Sequence, residues 1–147
     1  MSKVEVPFET TNRVRDECLC LHAHRSARAL GRRFDEALRP VGLTNGQFSL
    51  LMSLNRPAPA GMGAVASLLS MDRTTLTAAI KPLQRRGLVT VKADPSDGRS
   101  RLMVLTAAGR AALAGAVPIW ERVQAALEES LADTDLHRLR SDLRKLS

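Results

Sequence analysis

The segment Cys18-Leu-Cys20-Leu-His22-Ala-His24 holds both cysteines and two of the three histidines of a 147-residue chain. On a helix, Cys18 and His22 fall four apart on one face, and Cys20 and His24 on another. Each pair could offer zinc or copper two soft or borderline ligands, but a second subunit would have to complete such a site. A thiolate near a helix start, with Arg13, Arg15 and Arg25 close in sequence, is also reactive toward oxidants. Cys18 and Cys20 are therefore candidates for a redox sensor. The plainer alternative is that both are small buried hydrophobes. No metal or other cofactor is expected. The chain has no His-Glu-x-x-His, Gly-x-Ser-x-Gly or phosphate-cradling glycine loop, so it does not read as an enzyme. A Cys/His thiol- or metal-dependent enzyme is the weaker alternative, because nothing supplies a third orienting group.

A second constellation lies further along. Arg73, Thr74, Thr75 and Thr77 open a helical pattern, and Lys81 follows one turn on. Hydroxyls of this kind bond phosphates or base edges, their methyls meet thymine methyls, and an arginine reads guanine. Arg99 and Arg101 then alternate along a short β pattern, so they share a face. Asp97, two residues before Arg99, is expected to orient it through a charge-assisted pair. Between Asp72 and Arg101 there are seven cations and three acids, a net of +4 out of +7 for the whole chain.

The elements that must position these groups can be read from periodicity. Val14, Cys18, Leu21, Leu30, Phe34 and Leu38 predict one long helix over residues 11–41, ended by Arg39-Pro40. Thr44 and Gln47 form a capping-box pattern that opens a helix to Leu54, with Phe48, Leu51 and Met52 turned inward. Residues 55–61 are a loop by composition. A short helix follows over 63–69, offering Val65, Leu68 and Leu69 for burial. Ser70-Met71 is a tight turn, and Asp72 caps a helix reaching Arg86, interrupted by Pro82 and stopped by Gly87. Alternation over 88–92 and 101–105, around Asp94-Pro95-x-Asp97-Gly98, predicts a β-hairpin. Thr106 caps a long helix to about 129, with Pro118 inside it, and Asp133 caps a last helix carrying Leu136, Leu139, Leu143 and Leu146. Helix, tight turn, helix and basic hairpin make a winged helix-turn-helix, so the fold is mainly α with a small β-hairpin wing (α+β).

The composition is 44% apolar and 25% charged, with two cysteines, which excludes disulfide scaffolds, collagen-like chains and disordered tails. No apolar run approaches the roughly 20 residues a bilayer helix needs. The opening residues lack the apolar stretch of a signal peptide, so a cytoplasmic protein with no membrane partner is expected. Eighteen of the 22 cations are arginine, the side chain best matched to phosphates and guanine edges. Excess positive charge points to a polyanionic partner, most often nucleic acid.

Five segments occur in order: Leu43-Thr44-x-x-Gln47-Phe48, Met71-Asp72-Arg73-Thr74-Thr75-Leu76-Thr77, Arg86-Gly87-Leu88-Val89, Asp94-Pro95-x-Asp97-Gly98-Arg99 and Leu105-Thr106-x-x-Gly109-Arg110. Together, over about residues 13–146, they resemble the MarR family of transcriptional regulators. The resemblance implies a single domain over 1–147, with dimerisation helices at 11–42 and 107–147 around a DNA-binding lobe at 43–106. It implies a homodimer on double-stranded DNA at a pseudo-palindromic operator, usually as a repressor. The DNA contacts expected are Arg73, Thr74, Thr75, Thr77, Lys81, Arg99 and Arg101, with Asp97 orienting the wing. Gly98 departs from the family, whose members often carry another basic residue there. The effector implied is a small aromatic acid, with Arg25, Arg28 or His24 as its anion partner, or an oxidant acting on Cys18 or Cys20. Val14, Leu21, Val117, Trp120, Leu136, Leu139 and Leu143 are the expected interface or adjacent core. The alternative is a winged-helix protein-interaction module that keeps the fold without binding DNA.

Overall fold

The computed structural model describes residues 5–147. They form two compact units, one extending to Arg33 and one from Phe34 to Ser147.

The first unit corrects the expectation of a single N-terminal helix. The chain forms α1 (Phe8–Glu17) and α2 (Leu19–Leu38), separated by Cys18, whose backbone is extended at φ −69° and ψ 108°. The Cys18 amide closes α1 on the Val14 carbonyl at 3.0 Å. Its Sγ then lies 3.5 Å from the Leu21 amide, where an N-cap acceptor would sit. A side-chain acceptor at the start of the next helix makes the break affordable, since it partners an N–H that the interrupted ladder leaves over. Helix α1 buries no residue, and Val14, Leu19 and Leu30 are all exposed.

The second unit contains the last turn of α2, where Leu38 is fully buried. A 3₁₀ turn, Arg39–Val41, then ends at Gly42, whose φ of +70° favours glycine. Helix α3 (Asn45–Leu54) starts with the expected reciprocal capping box between Thr44 and Gln47. It buries Phe48, Leu50, Leu51, Ser53 and Leu54, whereas Met52, expected inside, is exposed. Buried Ser53 is tolerated because its hydroxyl donates to the Leu50 carbonyl at 2.7 Å.

Two residues of the expected loop, Ala60–Gly61, form a short strand β1. Helix α4 (Met62–Leu68) and helix α5 (Arg73–Arg85) follow, joined through Ser70, which adopts a left-handed φ of 50°. Val65 of α4 is buried, but Leu68 points out, contrary to expectation. The hairpin strands β2 (Val89–Asp94) and β3 (Asp97–Leu105) reach further toward the tip than alternation predicts, leaving only Pro95 and Ser96 between them. The antiparallel sheet has the order β1-β3-β2, with Ala60 opposite Met103 and Val91 on that residue's other side.

Helix α6 (Ala107–Ser130) is anchored at the root of this hairpin. Thr106 caps it by accepting from the Gly109 amide at 3.0 Å, and its hydroxyl donates to the Gly87 carbonyl at 2.6 Å. The Thr106 amide donates to the Leu88 carbonyl at 3.1 Å, and a Cβ on Gly109 would overlap that same carbonyl group. The Leu-Thr-x-x-Gly segment thus ties the end of α5, the sheet and α6 to one another. The last helix, α7 (Leu136–Arg144), is capped by Asp135 rather than Asp133, through the Arg138 amide at 2.9 Å. It buries none of its residues. The core closes around Leu38, Leu51, Val65, Leu76, Leu83 and Met103. Among the described residues, no helix is long and apolar enough to cross a membrane.

Candidate nucleic-acid interface

Helix α5 divides sharply into two faces. Leu76, Ile80 and Leu83 are buried, and Arg73, Thr74, Thr77 and Lys81 stand on the exposed side. Its start is fixed by Asp72, whose carboxylate accepts from the Thr75 amide at 2.7 Å and from the Thr75 hydroxyl at 2.8 Å. These bonds hold the Asp72 carboxyl below the usual carboxylate range, the Thr75 amide contributing most.

The same bonds change the expectation for the threonines. The Thr75 proton is committed to Asp72, and the Thr77 hydroxyl donates to the Arg73 carbonyl at 2.8 Å. A phosphate oxygen needs a donor, so Thr74 is the hydroxyl best placed to supply one. The Arg73 guanidinium lies beside bare Gly63 of α4, where an added Cβ would be 3.2 Å from Nη2.

In the hairpin, cross-strand partners share a face. Arg101 pairs with Ala93, and Met103 pairs with Val91, so Arg101 continues outward the face whose root is buried at Met103 and Leu105, whereas Arg99 lies beyond a register shift between Ala93 and Asp94 that interrupts the expected alternation. The tip is folded by aspartates. Asp94 Oδ1 accepts from the Ser96 amide and hydroxyl at 2.9 and 2.7 Å, which depresses its carboxyl, the hydroxyl bond contributing most. Asp97 Oδ1 accepts from the Arg99 backbone amide at 3.0 Å. The expected Asp97–Arg99 ion pair is therefore replaced by a backbone contact. Two residues of separation bring the next-but-one amide, rather than a long guanidinium, to a short carboxylate. Among the described residues, no ion pair involves Arg73, Lys81, Arg99 or Arg101.

Two cations read differently in three dimensions. Arg86, counted in the local charge, donates to the Gly42 carbonyl at 2.8 Å and acts as a strut. Lys92, not singled out from the sequence, is exposed on the hairpin face opposite Arg101, level with Leu102. Its alternation with Val91 was the available signal.

The cysteine segment separates into its two faces. His22 Nδ1 donates to the Cys18 carbonyl at 2.8 Å rather than meeting Sγ, and Cys20 Sγ lies 3.9 Å from His24 Nδ1. Cys20 is exposed and Cys18 half-buried, so neither is a deeply buried hydrophobe.

The second unit also has an open cleft of about 380 Å³ between α3, α4 and α6, lined chiefly by Phe48, Met52, Leu68, Leu69, Val117 and Trp120. Phe48 and Trp120 stack, with centroids 6.4 Å apart and an interplanar angle of 21°. Two serines, Ser49 and Ser53, complete the lining, and no charged side chain takes part.

Residues 43–100 match the MarR family model. The transcriptional regulator MosR of M. tuberculosis, solved in complex with DNA, is 44% identical, with a TM-score of 0.80 over 88% of this chain and 93% of that one. CouR of Rhodococcus jostii RHA1, a transcriptional repressor solved on a 23-mer DNA duplex, is 30% identical, with a TM-score of 0.79 over 90% and 94%. The transcriptional activatory protein BadR of Rhodopseudomonas palustris is 35% identical over 95 residues, or 63% of this chain. The match spans about half of that relative's length, 54%.

Proposed function

The chain belongs to the MarR family, and on that premise we propose that it is a cytoplasmic regulator of transcription, a repressor that binds double-stranded DNA selectively as a homodimer. The observation that carries this reading is the set of exposed cations on α5 and the hairpin that no carboxylate neutralises. Elsewhere in the second unit, Arg138, Arg140 and Lys145 have acidic partners within 4 Å. A helix presenting Arg73, Thr74 and Lys81 suits the major groove, and paired arginines on a ribbon suit a narrow minor groove. In this reading Thr75 and Asp97 act indirectly, by fixing the helix start and the hairpin tip, and Thr77 supplies its methyl and hydroxyl oxygen. The test is fluorescence anisotropy with the DNA flanking the gene, across a salt series. Arg73→Ala is expected to relax base preference. Arg99→Ala is expected to weaken all sites and to reduce the salt slope by about two for a dimer. Saturable binding unchanged by both substitutions would remove these assignments, and no binding by folded protein would leave a protein-interaction module.

The dimer is supported by apolar residues that one chain leaves uncovered on its terminal helices. Leu139 and Leu143 of α7 are exposed, as are Val14 and Leu19. Pairing two reading heads also supplies a fixed half-site spacing.

For the effector, the uncharged aromatic cleft favours a small neutral aromatic molecule over the carboxylate that family resemblance implies. Trp120 is the sole tryptophan and lines that cleft, so its fluorescence reports occupancy. Benzamide is expected to quench it at lower concentration than benzoate, and equal quenching by both would count against an uncharged site. An oxidant signal has its own support in the Cys18 thiol at the start of α2, beside the Leu21 amide. If that reading holds, Cys18→Ser or Cys20→Ser abolishes release from DNA by hydroperoxide.

A further inference from the structure

Two glycines flank Met62 at the start of α4, and the contacts assigned to DNA so far give neither a role. Among the glycines of the described residues, only Gly42 and Gly87 have the left-handed backbone that favours this residue. Gly61, the N-cap of α4, is extended at φ −75° and ψ 149°, a conformation open to any residue. Gly63 lies inside the helix, where alanine is the better former. The two differ in what a side chain would meet. A Cβ on Gly61 has nothing within 4 Å, whereas one on Gly63 falls 3.2 Å from Nη2 of Arg73. Room for that guanidinium, and not backbone geometry, is what glycine supplies at position 63.

Arg73 is the first residue of α5, and both it and Gly63 are exposed. A long side chain at a helix start samples many rotamers, and fixing one of them costs entropy. Backbone on one side of the guanidinium restricts those rotamers before any DNA arrives. Reading guanine depends on such restriction, because two N–H groups of a planar fork must meet two acceptors at once. Their donor–acceptor distances span a window only about 0.5 Å wide. A Cβ at 3.2 Å is tighter than ordinary contact, so the guanidinium must give way by a few tenths of an ångström. That displacement is comparable with the whole window. Attraction to phosphate is chiefly electrostatic and carries no base information, so it tolerates the same displacement.

We propose that Gly63 is a positioning residue for base recognition: its missing side chain seats the Arg73 guanidinium and so sets the base preference at the start of α5. The role rests on the DNA-reading function of α5, and one arm of its test needs no DNA. In proton–nitrogen correlation spectra of the full-length protein, the Arg73 Nε–Hε signal is identified by its loss in Arg73→Ala. Gly63→Ala is expected to shift that signal, and Gly61→Ala, whose new methyl meets nothing, is expected to leave it in place. Neither change should lower the melting temperature. The second arm measures, by fluorescence anisotropy, the best-bound duplex from the DNA flanking the gene and its single-base-pair variants. Gly63→Ala should change the discrimination among them by about threefold or more, part of what a bidentate contact supplies, with the salt slope unchanged. Introduced into Arg73→Ala, it should change nothing further. An unmoved Arg73 signal or an unaltered base preference would overturn the proposal. So would an effect that persists without Arg73, because residue 63 would then meet DNA directly. Folded protein that binds no duplex would remove the DNA-reading function and this role with it, whereas a shifted Arg73 signal beside unaltered preference removes this role alone.

Discussion

Single side chains in this protein do their work largely through the backbone amides they hold. Asp72, Asp94 and Asp97 sit beside the exposed cations, yet their short carboxylates fold the backbone and leave the guanidinium groups free. That division gives a prediction for Thr74 and Thr75. Thr74→Val removes the uncommitted hydroxyl and should weaken DNA binding with little change in melting temperature. Thr75→Val removes a bond to the cap and should lower the melting temperature, which differential scanning calorimetry on both variants would read. A pH prediction follows from Asp35, whose carboxylate accepts from the Asn45 amide and side chain at 2.7 and 2.8 Å. Those bonds, the amide foremost, hold its carboxyl below the usual range, as the Thr75 amide does for Asp72. A depressed folded-state pKa means the stabilisation is present above the unfolded carboxylate range and is lost as pH falls through the folded values. Asp35→Asn should therefore be less stable than the parent at pH 7, and the gap should close in acid. A gap that is constant down to pH 2 would show that the carboxylate charge is not what Asn45 engages.

At the scale of elements, legibility in the sequence tracked how local the determining interaction is. The capping box at Thr44, the Asp72 cap, the Gly87 stop and the Thr106 cap are contacts between residues three or four apart, and all appear where spacing predicts them. The α1–α2 break leaves no mark in the sequence because helical periodicity continues through Cys18, and only its ψ and thiol position reveal the interruption. Strand β1 was invisible because two residues carry no period, and its partner Met103 is over forty positions away. Met52 and Leu68 depart from the burial expected of them for a related reason, since both border the cleft beside Trp120 and are not sealed in the core. The exposed helix face was legible from residue types, whereas the register shift between Ala93 and Asp94, which interrupts the alternation expected of Arg99 and Arg101, was not. Which hydroxyls and carboxylates had their bonding capacity already committed was not. The Leu-Thr-x-x-Gly joint yields the sharpest element-scale prediction. A methyl at Gly109 must displace the Leu88 backbone, a far stiffer obstacle than a side-chain tip. Gly109→Ala should destabilise the second unit by about 1–3 kcal/mol, as overpacking does, despite the better helix propensity of alanine. Thr44→Ala, which removes only a cap, should cost about 1 kcal/mol. Chemical denaturation would expose the error if Gly109→Ala proved the milder change.

For the molecule as a whole, affinity for DNA should be set less by any one contact than by holding two reading heads together. A single head offers two wing arginines, one helix arginine and Lys81, a modest number of phosphate contacts. Linking two such heads turns the second engagement into an intramolecular one and can raise apparent affinity by about 10²–10⁴ without any new contact. The apolar residues that would make the link, Leu139 and Leu143, are 38% and 52% exposed, while the core of the second unit does not depend on them. A double substitution Leu139→Asp/Leu143→Asp should therefore leave the fold intact and shift sedimentation from dimer to monomer. Binding to a full operator should fall about a hundredfold or more, and binding to an isolated half-site should barely change. The salt slope on the full operator should drop to about half, because only one set of cations then meets phosphate. If the variant is monomeric and still discriminates operators by half-site spacing, the two heads are not coupled through these helices. If it stays dimeric, the exposed leucines of α7 are not the seam.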